Sequence, residues 1–292
     1  MKLENSIGWC DATTNAVTGC DKVSPGCKNC YAECGTAARV LRGKGKETWG
    51  PKGERVPVNF EPVFRRLNKL CVCDYCHEAA DFVECGRKCA WGCGGTLRRI
   101  RLFADSNSDW LDPKWPIETL ARFLDAIRLA PNVDVLLLTK RIELFMERAN
   151  AVLGFHGDKG FEQLHFWLRS WLNGNPPANV WLGVSVEDQR RADERIPLLF
   201  GVPAKVRFLS VEPLLEPVII TNSSFAAGIG WVIVGGESGK NRRDCGVEAI
   251  ESVVAQCVQA GLAVYCKQDS ALLPGLRGRL PETIWRRKEF PR

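Results

Sequence analysis

From residue 100 onward the chain alternates short apolar runs with longer amphipathic stretches. The runs fall at residues 102–104, 133–138, 180–186, 206–211, 231–234 and 262–265, and between several of them lie amphipathic stretches at 117–129, 142–153, 189–200 and 247–260. Apolar runs without polar interruption read as strands buried on both faces, and helix-length spacers read as the crossovers of a parallel sheet. With a first strand expected near residues 15–18, the pattern predicts an α/β fold: a partial or complete parallel (β/α) barrel rather than a short open sheet. Residues 161–172, with Trp167, Leu168, Trp171 and Leu172, predict an inserted helix whose aromatics serve packing, ended by Gly174-Asn175-Pro176-Pro177.

Polar residues gather just after the runs, at Asp105-Ser106-Asn107-Ser108-Asp109, Thr139-Lys140-Arg141, Glu187-Asp188, Glu212-Pro213, Gly235-Gly236-Glu237-Ser238-Gly239 and Lys267-Gln268. In a parallel barrel these strand ends converge on one mouth, where ligands bind. Any one of them could be a helix cap or a solvated side chain; together they predict a polar, ligand-binding mouth.

Cysteine adds the chemistry. Cys20, Cys27 and Cys30 sit on a loop punctuated by Gly19, Pro25 and Gly26 that leads into a helical stretch. A closed zinc site takes four ligands, whereas three thiolates on a cubane iron–sulfur cluster leave one iron open. The alternatives are a zinc site completed by Cys10 or Cys34, and thiols that bind nothing. A second group follows: Cys73-x2-Cys76, twelve residues, then Cys89-x3-Cys93, with Cys71, His77 and Cys85 as competing ligands. Four thiolates at that spacing suit a tetrahedral zinc ion, with a second iron–sulfur cluster as the alternative. Residues 70–97 hold few core-forming side chains, so bound metal is expected to order them. Three units are therefore expected: 1–69 with the cysteine loop and first barrel elements, a 70–97 metal-binding insertion, and 98–292 completing the barrel.

Of 292 residues 45% are hydrophobic and fourteen are cysteine. Met1-Lys2-Leu3-Glu4-Asn5 is too polar for a signal peptide, and no apolar run approaches the roughly 20 residues of a membrane span. Cysteines at ligand spacing then imply metal sites in a reducing cytoplasm, with no membrane partner. The net charge is +6, and basic residues bunch at Arg42/Lys44/Lys46, Arg65/Arg66, Arg98/Arg99/Arg101 and Arg286/Arg287/Lys288. Such clusters make nucleic acid or nucleotide a candidate partner. Only three histidines occur, none at a strand end, which disfavours a His-rich hydrolase centre.

The run from Trp9-x-Asp11-Ala12-Thr13 through Thr18-Gly19-Cys20 to Cys27-x2-Cys30-Tyr31-Ala32-Glu33 resembles that of a phage- and prophage-associated three-cysteine-motif family of largely unassigned function. So do the segments at 105–109, 138–141, 180–187, 207–213 and 234–239. The resemblance covers most of the chain except about residues 70–97. That family is in turn similar to divergent radical S-adenosylmethionine (SAM) enzymes, which implies a partial TIM-like barrel and a three-cysteine [4Fe–4S] cluster on Cys20, Cys27 and Cys30. It also implies S-adenosylmethionine as cofactor, an electron donor as partner, and cofactor contacts from Asp105, Ser106 and Ser108. Substrate contacts are expected from Lys140, Arg141, Glu187, Glu212, Glu237 and Lys267. Two departures stand out. The first cysteine gap holds six residues rather than three, and Asn29 takes the place of an aromatic before the last cysteine. The alternative function is a metal-stabilised nucleic-acid-binding protein without radical chemistry.

Overall fold

The computed structural model describes residues 3, 7–157, 160–220 and 228–291. The polar opening at 1–5 falls, Leu3 apart, outside them. Seven strands form one all-parallel, curled half-barrel sheet in sequence order: β1 (Ala12–Thr14), β2 (Ile100–Ala104), β3 (Val133–Thr139), β4 (Val180–Ser185), β5 (Val206–Val211), β6 (Trp231–Gly235) and β7 (Ala263–Gln268). Helices return the chain between them: α1 (Thr36–Gly43), α2 (Glu61–Leu67), α3 (Ile117–Arg128), α4 (Phe145–Leu153), α5 (Glu162–Leu172), α6 (Gln189–Phe200) and α7 (Val247–Gln259), with α8 (Glu282–Trp285) near the end. Among the described residues no helix is long and apolar enough to cross a membrane.

The strands are mostly apolar because both faces are covered. Alternate residues (Leu102, Val135, Leu182, Leu209, Val232, Val264) join the core under the helices. Their neighbours (Phe103, Leu136, Trp181, Phe208, Trp231, Tyr265) fill the concave side together with Trp9. That filling is mostly aromatic: Trp9 lies 4.6 Å from Phe103, and Trp231 lies 6.0 Å from Trp181 and 5.3 Å from Phe290 between ring centroids. It floors the mouth.

The first strand is displaced from its expected position. Ala12–Thr14 pairs with β2, while Val17–Thr18 pairs antiparallel with Val56–Pro57 away from the main sheet. The cause is local: the Asp105 carboxylate takes the amides of Ala16 and Val17, each at 3.1 Å, and pulls that backbone off the ladder. Helix α5 forms as expected, with Trp171 buried against Phe145 at 5.4 Å.

The cysteine-rich insertion sits within the β1–β2 crossover as a small antiparallel sheet of Ala79–Asp81, Leu70–Cys73 and Leu97–Arg98. It is not merely appended. Val72 reaches the main core, and Arg98 grips Asp11, just ahead of β1, through two hydrogen bonds of 2.7 and 2.8 Å.

Candidate functional site

The C-terminal strand ends open into a cavity of about 210 Å³. Cys20, Cys27 and Cys30 all line it, with Asp105, Ser106, Ser108, Lys140, Arg141, Glu212, Glu237 and Lys267. Of the residues expected to contact cofactor or substrate, Glu187 alone is missing from the wall. Its carboxylate is fully buried and pairs with Arg195 of α6 at 2.8 Å. It lies under the cysteine loop instead: a Cβ on Gly26 would come within 3.1 Å of the Glu187 side chain, so the Pro25–Cys27 turn packs closely on it. Burial disfavours the Glu187 anion, but Lys140 and Arg195 hold its carboxyl below the ordinary range.

Cys20 is the most elaborately held thiol. Arg141 Nη1 donates to Cys20 Sγ at 3.6 Å and to Asp109 at 3.0 Å, while Nη2 donates to the Asp21 carbonyl at 2.9 Å. Asp109 also accepts from Thr139 Oγ1 and the Lys140 amide. Behind it Asp112 pairs with the buried Arg55 at 2.8 Å. Burial pushes the Cys20 thiol up to about 12 against the pull of Arg141, and burial likewise raises Cys30.

The residues after β2 face the loop more than the cavity. Asp105 accepts from Ala16, Val17 and, at 3.3 Å, Asn107. Ser106 Oγ meets Asn15, and Ser108 Oγ donates to the Gly19 carbonyl while accepting from Trp115. These three side chains hold residues 15–19, which deliver Cys20. On the opposite wall Glu237 is saturated by Asn29 and Arg243, and Arg243 also donates to the Pro25 carbonyl. Burial opposes the Glu237 anion, yet these donors keep its carboxyl below the ordinary range. Lys267 pairs with Glu212 at 2.5 Å. Lys140 stands apart: its ammonium donates to Ser185 Oγ at 2.9 Å, and among the described residues no carboxylate lies within ion-pair distance. Asn29, Tyr31, Asp109, Ser185 and Arg243 were not among the expected site residues.

In the insertion the Cys73, Cys76, Cys89 and Cys93 sulfurs all lie within 4.8 Å of one another, a set that could bind a metal ion. Cys73–Cys93 and Cys76–Cys89 are 3.4 and 3.6 Å apart. A tetrahedron with metal–sulfur bonds of about 2.3 Å has edges of about 3.8 Å. The amides of Tyr75 and Cys76 point at Cys73 Sγ and, against the effect of burial, bring that thiol down to about 7. A Cβ on Gly95 would lie 2.5 Å from Cys73 Sγ, so the second knuckle closes over the sulfur only as glycine. Cys71 and Cys85 turn to the carbonyls of Asp81 and Leu97, outside the four-sulfur set. Among the described residues no such tight group forms around Cys20, Cys27 and Cys30, which are spread wider than one ion's coordination sphere.

A family model described as "Protein of unknown function (DUF5131)" matches residues 4–275. No curated protein and no solved structure matches the chain.

Proposed function

We propose a function for a chain that belongs to the DUF5131 family, whose description assigns no activity: an iron–sulfur enzyme of the radical SAM type, acting on a nucleobase, nucleotide or nucleic acid. One observation carries the reading. Three cysteines of a single loop line one cavity at the C-terminal mouth of a parallel half-barrel, and among the described residues no fourth cysteine shares that wall. Such a donor set suits a [4Fe–4S] cluster with one iron open to a ligand. When bound, the cluster supplies one-electron reduction of S-adenosylmethionine and, through it, hydrogen abstraction from a substrate; the protein supplies binding and orientation.

The chain's own groups then divide the work. Cys20, Cys27 and Cys30 ligate iron, and Arg141 offsets the thiolate charge beside Cys20. Asp105, Ser106 and Ser108 position the loop. Lys140, whose ammonium has no carboxylate within ion-pair distance among the described residues, is placed to meet an anionic group of the cofactor or substrate. The Lys267–Glu212 pair offers one donor and one acceptor to a substrate, and the aromatic floor excludes water from beneath. An electron donor is required. All fourteen cysteines are free of disulfides, in keeping with a reducing cytoplasm. The insertion's four thiolates suit zinc, because a cubane puts each thiolate on a different iron and spreads the sulfurs more widely.

The competing reading, a metal-stabilised nucleic-acid-binding protein, is favoured by the exposed Tyr75 and Trp91 rings on the insertion, which also exposes Arg87 and Lys88. Anaerobic reconstitution with iron and sulfide, followed by electron paramagnetic resonance of the reduced protein with and without S-adenosylmethionine, separates the two. The enzyme reading expects a perturbed signal and slow release of 5′-deoxyadenosine. A fully loaded, reduced cluster indifferent to S-adenosylmethionine would favour the binding module.

A further inference from the structure

A second cavity, of about 460 Å³, lies beneath the aromatic floor, between the N-terminal strand ends and the cysteine-rich insertion. Its wall includes Arg101, four residues before Asp105 on the same strand, or roughly 13 Å below the mouth at about 3.3 Å per residue. Two of the basic clusters noted in the sequence meet here. Arg98 and Arg101 arrive from β2 and its approach, and Lys288 from the C-terminal segment.

The charges there are not balanced. Arg101 is 9% exposed, and its guanidinium stacks on Phe290 at 3.4 Å. Among the described residues that guanidinium has no hydrogen-bond partner and no carboxylate within ion-pair distance. The two nearest candidates are engaged elsewhere. Asp134, its register partner on β3, holds Arg99 at 2.9 Å. Asp11 is bound by both Arg98 nitrogens and by the Arg101 amide at 2.8 Å. Lys288 rests over Trp285 at 3.5 Å and donates a hydrogen bond to the Cys266 carbonyl, with no carboxylate within ion-pair distance among the described residues. Trp9 Nε1 and Arg98 Nε are buried donors without an acceptor. The other carboxylate of the wall, Asp74, accepts the Thr96 amide.

These unpartnered groups are all donors or cations. A buried guanidinium without a counter-charge is costly, and an oxyanion is what would complete it; a planar fork of N–H groups fits a phosphate in particular. We propose that this underside cavity binds a small phosphorylated molecule, its phosphate held by Arg101, Arg98 and Lys288 and its remainder lying against Trp9 and Tyr265. The volume favours such a ligand over the bare anion, since it falls within the roughly 300–1,000 Å³ of small-molecule pockets. Burial also depresses Arg101 to about 10 and Lys288 to about 8, a bias that a bound anion reverses. The site shares no cysteine with the mouth, so it stands independently of the cluster.

Calorimetric titration of the full chain with adenosine 5′-monophosphate, inorganic phosphate and adenosine tests this. The monophosphate should bind saturably, phosphate more weakly, and adenosine not at all. Arg101→Met should weaken monophosphate binding by on the order of tenfold or more, whereas Cys20→Ala/Cys27→Ala/Cys30→Ala should leave it unchanged. Lys288→Met, at a half-buried position, carries the same test should Arg101→Met fail to fold. Absence of saturable binding to the unaltered protein, or binding that survives Arg101→Met and Lys288→Met but is lost in the cysteine variant, overturns the assignment. Phosphate binding as tightly as the monophosphate would overturn the small-molecule part.

Discussion

Arg141 touches Cys20: the guanidinium lies 3.6 Å from the sulfur while also binding Asp109 at 3.0 Å. The first cysteine of the loop is thereby tied to the end of β3, more than a hundred residues away in sequence. The contact couples a thiol that burial makes hard to ionise with the cation best placed to stabilise its anion.

Replacing Arg141 by Met should therefore act twice. It removes one partner of a buried ion pair, which costs about 3 kcal/mol of stability, measurable by denaturant unfolding. It should also lower the iron retained after reconstitution, because the Cys20 thiolate loses its counter-charge. A variant as stable and as iron-rich as the parent would show the contact to be incidental.

Lys140→Met makes a contrasting case. Lys140 donates to Ser185 Oγ and its charge also favours the buried Glu187 anion, so some stability should be lost, though less than on breaking the Arg141 pair. If it meets an anionic group, iron content should hold while the resonance change induced by S-adenosylmethionine weakens. An undiminished response would remove Lys140 from the site.

The two sulfur groups should be separable. Ala substitutions at Cys20, Cys27 and Cys30 should abolish the brown colour and iron of anaerobically reconstituted protein and leave about one zinc per chain. Cys73→Ala with Cys89→Ala should remove the zinc and spare the iron. Metal analysis reads both, and zinc surviving the second variant would place its ligands elsewhere.

Asp105 supplies a pH signature. Burial raises its carboxyl to about 7, outweighing the amides it accepts. The unfolded chain releases this proton near pH 3.9. Between those values the native state holds more protons than the unfolded one, so stability falls as pH rises from about 4 to about 7 and levels off above, by at most roughly 4 kcal/mol. Asp105→Asn, which keeps an acceptor for Ala16 and Val17, should flatten that slope in denaturant titrations. An unaltered slope would assign it to another group.

The six later strands were legible because burial on both faces leaves runs that are mostly apolar. β1 was not: Ala12–Thr14 is short and weakly apolar, and its end is set by Asp105, distant in sequence. The zinc-type spacing singled out the four cysteines whose sulfurs gather together, whereas Cys71, two residues along the same strand from Cys73, turns to the Asp81 carbonyl. Glu187 looked like a mouth residue from its place after β4. Its actual partner lies two helical turns on at Arg195, where no local signal distinguishes it from a solvated arginine. The Asn29–Glu237–Arg243 contacts bring together groups some two hundred residues apart, and a single sequence carries no trace of that meeting. Nor could charge clusters alone reveal that Arg101 and Lys288 line one cavity under the sheet.

The strand order has a kinetic consequence. From β2 to β7 every strand pairs with its successor across one crossover, whereas β1 joins β2 across the whole insertion, Ala12 opposite Leu102. Closing that loop carries the largest chain-entropy cost of any pairing in the sheet, for only three residues of ladder. The six-stranded sheet should therefore assemble first, with β1 and the cysteine loop docking last. In the native protein the same edge should open most readily, so amides of 12–20 should exchange with deuterium well before those of β3 and β4. Metal loading would then act as the latch on a late-closing edge, and exchange at 12–20 should slow once the cluster is installed.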